Sequence, residues 1–325
     1  WIAYHEYQPH LLNSFKLKDL AQFLVISKAI ILIITPPLAG VVADLLIKKQ
    51  NNYFTIFTVG ISATAMVFMI VASIIGAGPL GLITPILPLM IVLWLISMNL
   101  FVSPAYSMID AFAPKERLPV VVGFLFLITE LVYALEPVVI QIVNFFGPTL
   151  TFIVGGVLIS VSGIVFYKIS SSSVTEFKNQ KPQNLKSNFT WIILMATVLG
   201  IMQAGIVELL PELTPFSQWN NSIISLTILV LSAVLTFVLS LSFKKFNYLT
   251  LFIISTILSG IGLFLLVGLS SIWCVIFLIS GFSLLNLIGL PFAISNLSSR
   301  SMTAGIGVFL GVSEVFTGLL EIYFH

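Results

Sequence analysis

Charge is what this chain has least of. Of its 325 residues only 8% are Asp, Glu, Lys or Arg, against 58% that are apolar. An ordinary soluble domain carries about a quarter charged residues. A chain this poor in charge cannot clothe a surface in water, which excludes a soluble enzyme and a disordered chain. The 14 basic and 12 acidic residues leave a net charge of +2, too small to point to a nucleic acid or an acidic partner. Cysteine is nearly absent, and Cys274 alone excludes an internal disulfide framework and a thiolate metal cluster. The three histidines, His5, His10 and His325, have no carboxylate cluster beside them, so neither a metal nor another cofactor is expected. No phosphate-binding glycine loop appears, and Gly76-Ala77-Gly78-Pro79 reads as a short outer turn. The chain opens at Trp1 with no charged leader ahead of its first apolar run, so no signal peptide is expected.

What the chain has in quantity is long apolar sequence, with a mean hydropathy of +1.14. At about 20 residues per crossing, ten spans are predicted: 20–47, 53–75, 82–107, 119–146, 149–168, 189–210, 221–243, 248–269, 272–294 and 303–324. They are apolar on all sides rather than alternating, so they read as helices and not barrel strands. The expected fold class is all-α, a polytopic membrane protein.

The connections alternate in charge. One set holds Lys48 and Lys49; Lys115 and Arg117; Lys168, Lys178, Lys181 and Lys186; Lys244 and Lys245; and Arg300, while the other internal connections hold no basic residue. The basic set is placed in the cytoplasm by the positive-inside rule. The Ser-, Asn- and Lys-rich stretch 169–188 reads as a cytoplasmic linker.

Two segments repeat. Asn99-Leu100-Phe101-Val102-Ser103-Pro104 and Asn286-Leu287-Ile288-Gly289-Leu290-Pro291 share N-L-x-x-x-P, and Gly123 and Gly311 stand at nearly the same offset. Six spans separate the copies. Six is even, so the copies run in the same direction, about an axis along the membrane normal. The linker then divides an N-terminal half (1–168) from a C-terminal half (189–325). A six-helix unit predicts that the first helix of one half and the last of the other are largely missing from this stretch.

Two parallel six-helix halves joined by a cytoplasmic linker resemble the major facilitator superfamily. Gly40-Val41-Val42-Ala43-Asp44-Leu45-Leu46-Ile47-Lys48-Lys49 is similar to that family's G-x-x-x-D-R-x-G-R-R loop, with Leu45 and Ile47 in place of arginine and glycine. Asn99, Pro104, Asp110, Pro114 and Arg117, with Leu290-Pro291-Phe292-Ala293 in the second copy, resemble the sugar-cation symporters and sucrose transporters. The resemblance implies a secondary transporter working by alternating access. The expected substrate is a small polar organic solute, a sugar above all, moved by symport with a proton or by facilitated diffusion. Asp44, Asp110 and Arg117 would be the inner gate, latched by charge pairing, or simply solvated helix ends.

Ionisable groups in hydrocarbon cost roughly 2.5–3.5 kcal/mol on insertion scales, so the few present are candidates. Glu130 and Glu314 each lie 11 residues into equivalent spans, about 17 Å deep at 1.5 Å per residue. Each can carry a coupling proton, hydrogen-bond a hydroxylated solute, or be a structural acid. Lys28 lies about 12 Å from the outer end of its span, at a depth comparable to Glu136, and a Lys28–Glu136 pair is expected, structural or as a stand-in for a cation. Glu208 is expected to reach the cavity and Glu212 to be solvated. Gln203 is a candidate for a solute hydroxyl or for interhelical glue. Asn99 and Asn286 either satisfy carbonyls freed by the prolines or touch solute. Trp191, Trp219 and Trp273 sit at span ends as anchors, whereas Trp94 is mid-span and expected at the cavity. The expected setting is a multi-pass protein of a plasma or inner membrane, a monomer, with lipid, solute and proton as its partners. An exporter of lipids or lipophiles and a non-transporting receptor or assembly protein are the rival readings. An embedded enzyme is not expected, because no nucleophile and base converge.

Overall fold

The computed structural model describes residues 20–50, 54–77, 86–113, 117–177, 186–212, 221–242, 247–269 and 273–324. Among them every regular element is helical. Chain order gives α1 (Ala21–Gln50), α2 (Phe54–Ala77), α3 (Leu87–Leu100), α4 (Val102–Ser107), α5 (Ile109–Phe112), α6 (Leu118–Ala134), α7 (Glu136–Phe177), α8 (Phe189–Ala204), α9 (Asn221–Ser242), α10 (Tyr248–Leu269), α11 (Trp273–Ser295) and α12 (Met302–Phe324). Nine of the helical stretches are long and apolar enough to cross a membrane. Trp219, Lys115 and the Lys244–Lys245 turn lie outside the described residues.

The breaks follow from single residues. Gly147 has φ of 72°, a left-handed conformation that costs glycine nothing. With Pro148 behind it, it separates the two spans merged in α7. Pro211 offers no N–H to the carbonyl of Val207 and crowds it. The helix ahead of it widens into a π-helical turn at Gly205–Leu209 before Leu210–Glu212. One boundary needs correcting: the expected linker begins at 169, yet α7 continues to Phe177, since 169–177 holds neither Gly nor Pro.

The helix pairs come in two matched sets. In the first part of the chain α1 packs on α3, and α2 on α3; in the second α9 packs on α11, and α10 on α11. Between the parts, α1 meets α12 and α6 meets α9, while α4 meets α12 and α6 meets α11. These are the contacts a parallel repeat demands when α1 corresponds to α9 and α6 to α12. There are two cores: one lies within the first part, around Leu24, Phe68, Trp94 and Phe152, and the other, around Ile192, Met195, Phe282 and Leu285, also takes in Leu118 and Val122 of α6. Within the second part Thr236 Oγ1 donates to the Ser283 carbonyl at 3.0 Å and Ser283 Oγ to the Ser232 carbonyl at 3.0 Å. Such hydroxyls join helices where the hydrophobic effect cannot.

The α1–α12 contact is backbone against backbone. Going down α1, Ala29 faces Gly318, Ile33 faces Gly311, Pro36 faces Gly307, and Gly40 faces Thr303 and Ala304. One index rises as the other falls, so the helices are antiparallel and in contact over most of their length. A methyl group at Gly311 would overlap the Ile33 carbonyl oxygen, and one at Gly307 the Pro36 carbonyl. The Ile33 carbonyl has lost its helical donor, because Pro37 has no N–H. The bare glycine lets α12 come close enough to cover it, with room for a Cα–H···O contact.

Gly311→Val should therefore destabilise the fold by about 1–3 kcal/mol or more, since backbone cannot yield as a side chain can. Gly260→Ala, with nothing within 4 Å of the added methyl, should be neutral or mildly stabilising. Thermal melting of the purified variants checks both.

Candidate functional site

Two sets of polar groups join the parts. The first is at the ends that carry the basic residues. Thr303, at the start of α12, is 2% exposed. Its N–H donates to Asp44 Oδ1 at 3.1 Å, and the N–H of Ala304 donates to Asp44 Oδ2 at 2.8 Å. Its carbonyl accepts from Ser103 Oγ at 2.6 Å and its hydroxyl meets Ser107 Oγ at 3.3 Å. A carboxylate from α1 thus caps α12, supplying the acceptor that the first turn of a helix lacks. This corrects the expected charge latch: Asp44 binds helix N–H groups. Arg117 is exposed at the head of α6 and has no ion pair among the described residues. Asp110 lies half-buried on α5.

The second set is deeper. Glu130 on α6 is 8% exposed and makes no hydrogen bond or ion pair among the described residues. Tyr133, one turn on, is in electrostatic reach of Glu130, Glu314, Glu136 and Tyr106. Glu314 on α12 is in reach of Lys28, Glu321 and Glu208, and of Tyr106. The Lys28 ammonium donates to Glu321 Oε1 at 2.7 Å, with side chains 10% and 15% exposed. The Lys28 partner is therefore Glu321, not the expected Glu136. Glu136, half-buried at the start of α7, faces the Tyr133 side of the cluster.

Three expectations move. Trp94 is 2% exposed and wedged edge-on between Phe68 and Phe152 at centroid distances of 5.2 and 5.1 Å. It is core, not cavity lining. Asn99 Nδ2 donates to the Leu95 carbonyl at 2.8 Å and Asn286 Nδ2 to the Phe282 carbonyl at 2.9 Å. Both amides bend back one turn on their own helix in the same way, which matches the repeat; neither takes the carbonyl that its proline frees. Gln203 is half-buried on α8. It lies one turn beyond Gly200, which packs on the backbone of Ser313, so it stands at the height of Glu314 to Thr317. The π-helical turn holds Glu208 close enough to act on Glu314. Trp191 and Trp273 are exposed at the starts of α8 and α11, where anchors belong.

Tyr106, Tyr133, Thr317 and Glu321 had not been singled out. Their signal is spacing: Tyr133 is three residues from Glu130, and Thr317 and Glu321 are three and seven from Glu314, all on one helix face. Among the described residues no group of His, Cys, Asp and Glu side chains is arranged to hold a metal.

In architecture the chain is similar to the crystal structure of the human organic anion transporter MFSD10 (TETRAN). The TM-score is 0.64 at 12% identity, over 92% of this chain and 76% of that one. At that identity the likeness is one of fold. No family sequence model matches the chain, and no curated protein matches it in sequence. The fold is of major facilitator type, and the chain is an integral, multi-pass membrane protein.

Removing one member of the buried Lys28–Glu321 pair strands the other charge, at a cost of about 3–5 kcal/mol. Lys28→Met should thus lower the melting temperature sharply, and Lys28→Met with Glu321→Leu should recover most of the loss. A double variant no better than the single would contradict the pairing.

Proposed function

We propose that this chain belongs to a secondary transporter that moves a small polar organic solute by alternating access. The observation that carries the reading is the placement of Glu130 and Glu314. They sit on corresponding helices of the two parts, each 11 residues into its predicted span, and neither makes a hydrogen bond among the described residues. An intramembrane carboxylate is retained where a solute or proton uses it. The two parts are the halves 1–168 and 189–325 about the linker, rocking as bodies around this site. Glu130 and Glu314 are proposed proton carriers, with Glu136 and Lys28 beside them. Gln203 and Glu208 are the proposed solute contacts. The sugar implied by the resemblance has weaker support than polarity as such, since Trp94 is packed away and both asparagine amides are spent on their own helices. The cluster of acids likewise favours a polar solute over a lipid.

Asp44 is the proposed inner latch. In the proposed cycle, its bonds to Thr303 and Ala304 break when the cytoplasmic end opens. Asp110 and Arg117 are assigned to the same end.

Reconstituted protein should carry at least one polar organic solute faster than empty liposomes. Glu130→Gln should abolish the response to an imposed proton gradient while leaving exchange at equal pH. No flux for any polar solute would defeat the reading; gradient-driven flux undiminished in Glu130→Gln would defeat the proton assignment. Asp44→Ala removes a cap worth about 0.5–2 kcal/mol, a roughly two- to thirty-fold shift toward the inward-open state. In a Cys274→Ala background, a cysteine at Ser107 should then label correspondingly faster with an impermeant maleimide from the cytoplasmic face.

A further inference from the structure

We propose that the end of the linker is a control point for the Asp44 latch. A ring of serine hydroxyls clasps it to the α11–α12 turn, and the clasp sets the strength of the latch on the other side of that turn. This rests on the latch reading above and adds the element that regulates it.

The clasp is built from three side chains. Ser187, just ahead of α8, donates from its Oγ to Ser298 Oγ at 2.9 Å and lies 2.6 Å from Ser301 Oγ. The Ser298 and Ser301 hydroxyls are 3.0 Å apart, and both residues belong to the turn between α11 and α12. A hydroxyl donates once and accepts twice, so the closed ring satisfies all three donors. Ser187 Oγ also accepts the N–H of Ser298 at 2.9 Å, which fills its second acceptor position. Beside the ring, the Asn188 N–H donates to the Asn296 carbonyl at 2.9 Å. The head of α8 is thus bonded by side chain and backbone to a turn 111 residues away in sequence.

The same turn carries the latch. The Ser301 N–H donates to the Ser298 carbonyl at 3.1 Å, and the Ser301 carbonyl accepts from the Gly305 N–H at 2.9 Å. Ser301 therefore closes the turn and opens the first turn of α12. Two and three residues on, the N–H groups of Thr303 and Ala304 bond Asp44, and the Thr303 carbonyl takes Ser103 Oγ. Fixing Ser301 fixes where those N–H groups point. The segment 298–304 is held on one side by Ser187 and on the other by α1 and α4. Ser187 is half-buried between exposed Lys186 and Asn188, so the clasp sits where polar linker gives way to apolar span. With the clasp closed, the start of α12 is presented to Asp44 already ordered, and the latch does not have to offset the entropy of ordering it. Drawing the linker end away opens the ring, frees the turn and weakens the latch. Ser187 is a positioning residue that acts on Asp44 through the turn.

The test uses the full chain in nanodiscs with Cys274→Ala and Ser107→Cys as the parent, and reads the rate of labelling by an impermeant maleimide. Ser187→Ala should raise the rate roughly two- to tenfold, the worth of one hydrogen bond. Ser298→Ala breaks the ring from the other side and should do the same, whereas Ser299→Ala, at an exposed neighbour, should change nothing. In an Asp44→Ala background Ser187→Ala should add nothing further, because the bond it positions is already gone. A clasp that served only the fold would lower the melting temperature and leave the labelling rate alone. The inference is overturned if Ser187→Ala and Ser298→Ala both label like the parent, or if their increase persists in full without Asp44. The two readings fail distinguishably. Asp44→Ala labelling no faster than the parent defeats the latch reading and the inference built on it. Asp44→Ala labelling faster while neither serine variant does defeats the clasp alone.

Discussion

The architecture depends on the near-contact of α1 and α12. Inside a bilayer the hydrophobic effect gives helices no reason to associate, so they associate by close packing and by satisfying polar groups. Here both reasons act at one seam. Two consecutive prolines, Pro36 and Pro37, take donors out of the α1 ladder. Gly307 and Gly311 let the backbone of α12 cover the carbonyls there, and Gly40 returns the favour at the start of α12. The proline defect and the glycine face make sense only together. A joint of bare backbone is also stiff: it holds or parts as a unit.

Position along a helix was legible in the sequence; direction around it was not. Apolar runs and the alternation of basic connections located the spans, including the two that Gly147 divides. The shared N-L-x-x-x-P motif located equivalent helices, and the matched bends of Asn99 and Asn286 agree with it. Partner choice depends instead on azimuth, which turns 100° per residue. Lys28 and Glu136 lie at comparable depth, yet α1 lies along α12, so Glu321 meets Lys28. Trp94 was likewise at the right height and on the wrong face. Asp44 shows another limit: a charge at a helix end was read as seeking another charge, whereas the start of α12 supplied two N–H donors that no motif announces.

The π-helical turn before Pro211 ties local strain to the site. A proline near the outer end of α8's span would leave a gap in the hydrogen-bond ladder; widening the preceding turn absorbs it. Because the turn includes Glu208, the same adjustment holds an acid within reach of Glu314. One backbone irregularity serves both the continuity of the helix and the charge at the cluster.

Along α1 and α12 two tethers lie at opposite ends of the glycine seam, Lys28–Glu321 at one and Asp44 with the start of α12 at the other. In the motion proposed above, halves that rock about the midplane would strain one when they relieve the other. Their costs differ. A released helix start returns to water and gives up about 0.5–2 kcal/mol. Parting a buried ion pair costs more, unless something else neutralises the carboxylates. A solute that changes the relative cost of two states can drive the exchange between them, and one that does not cannot.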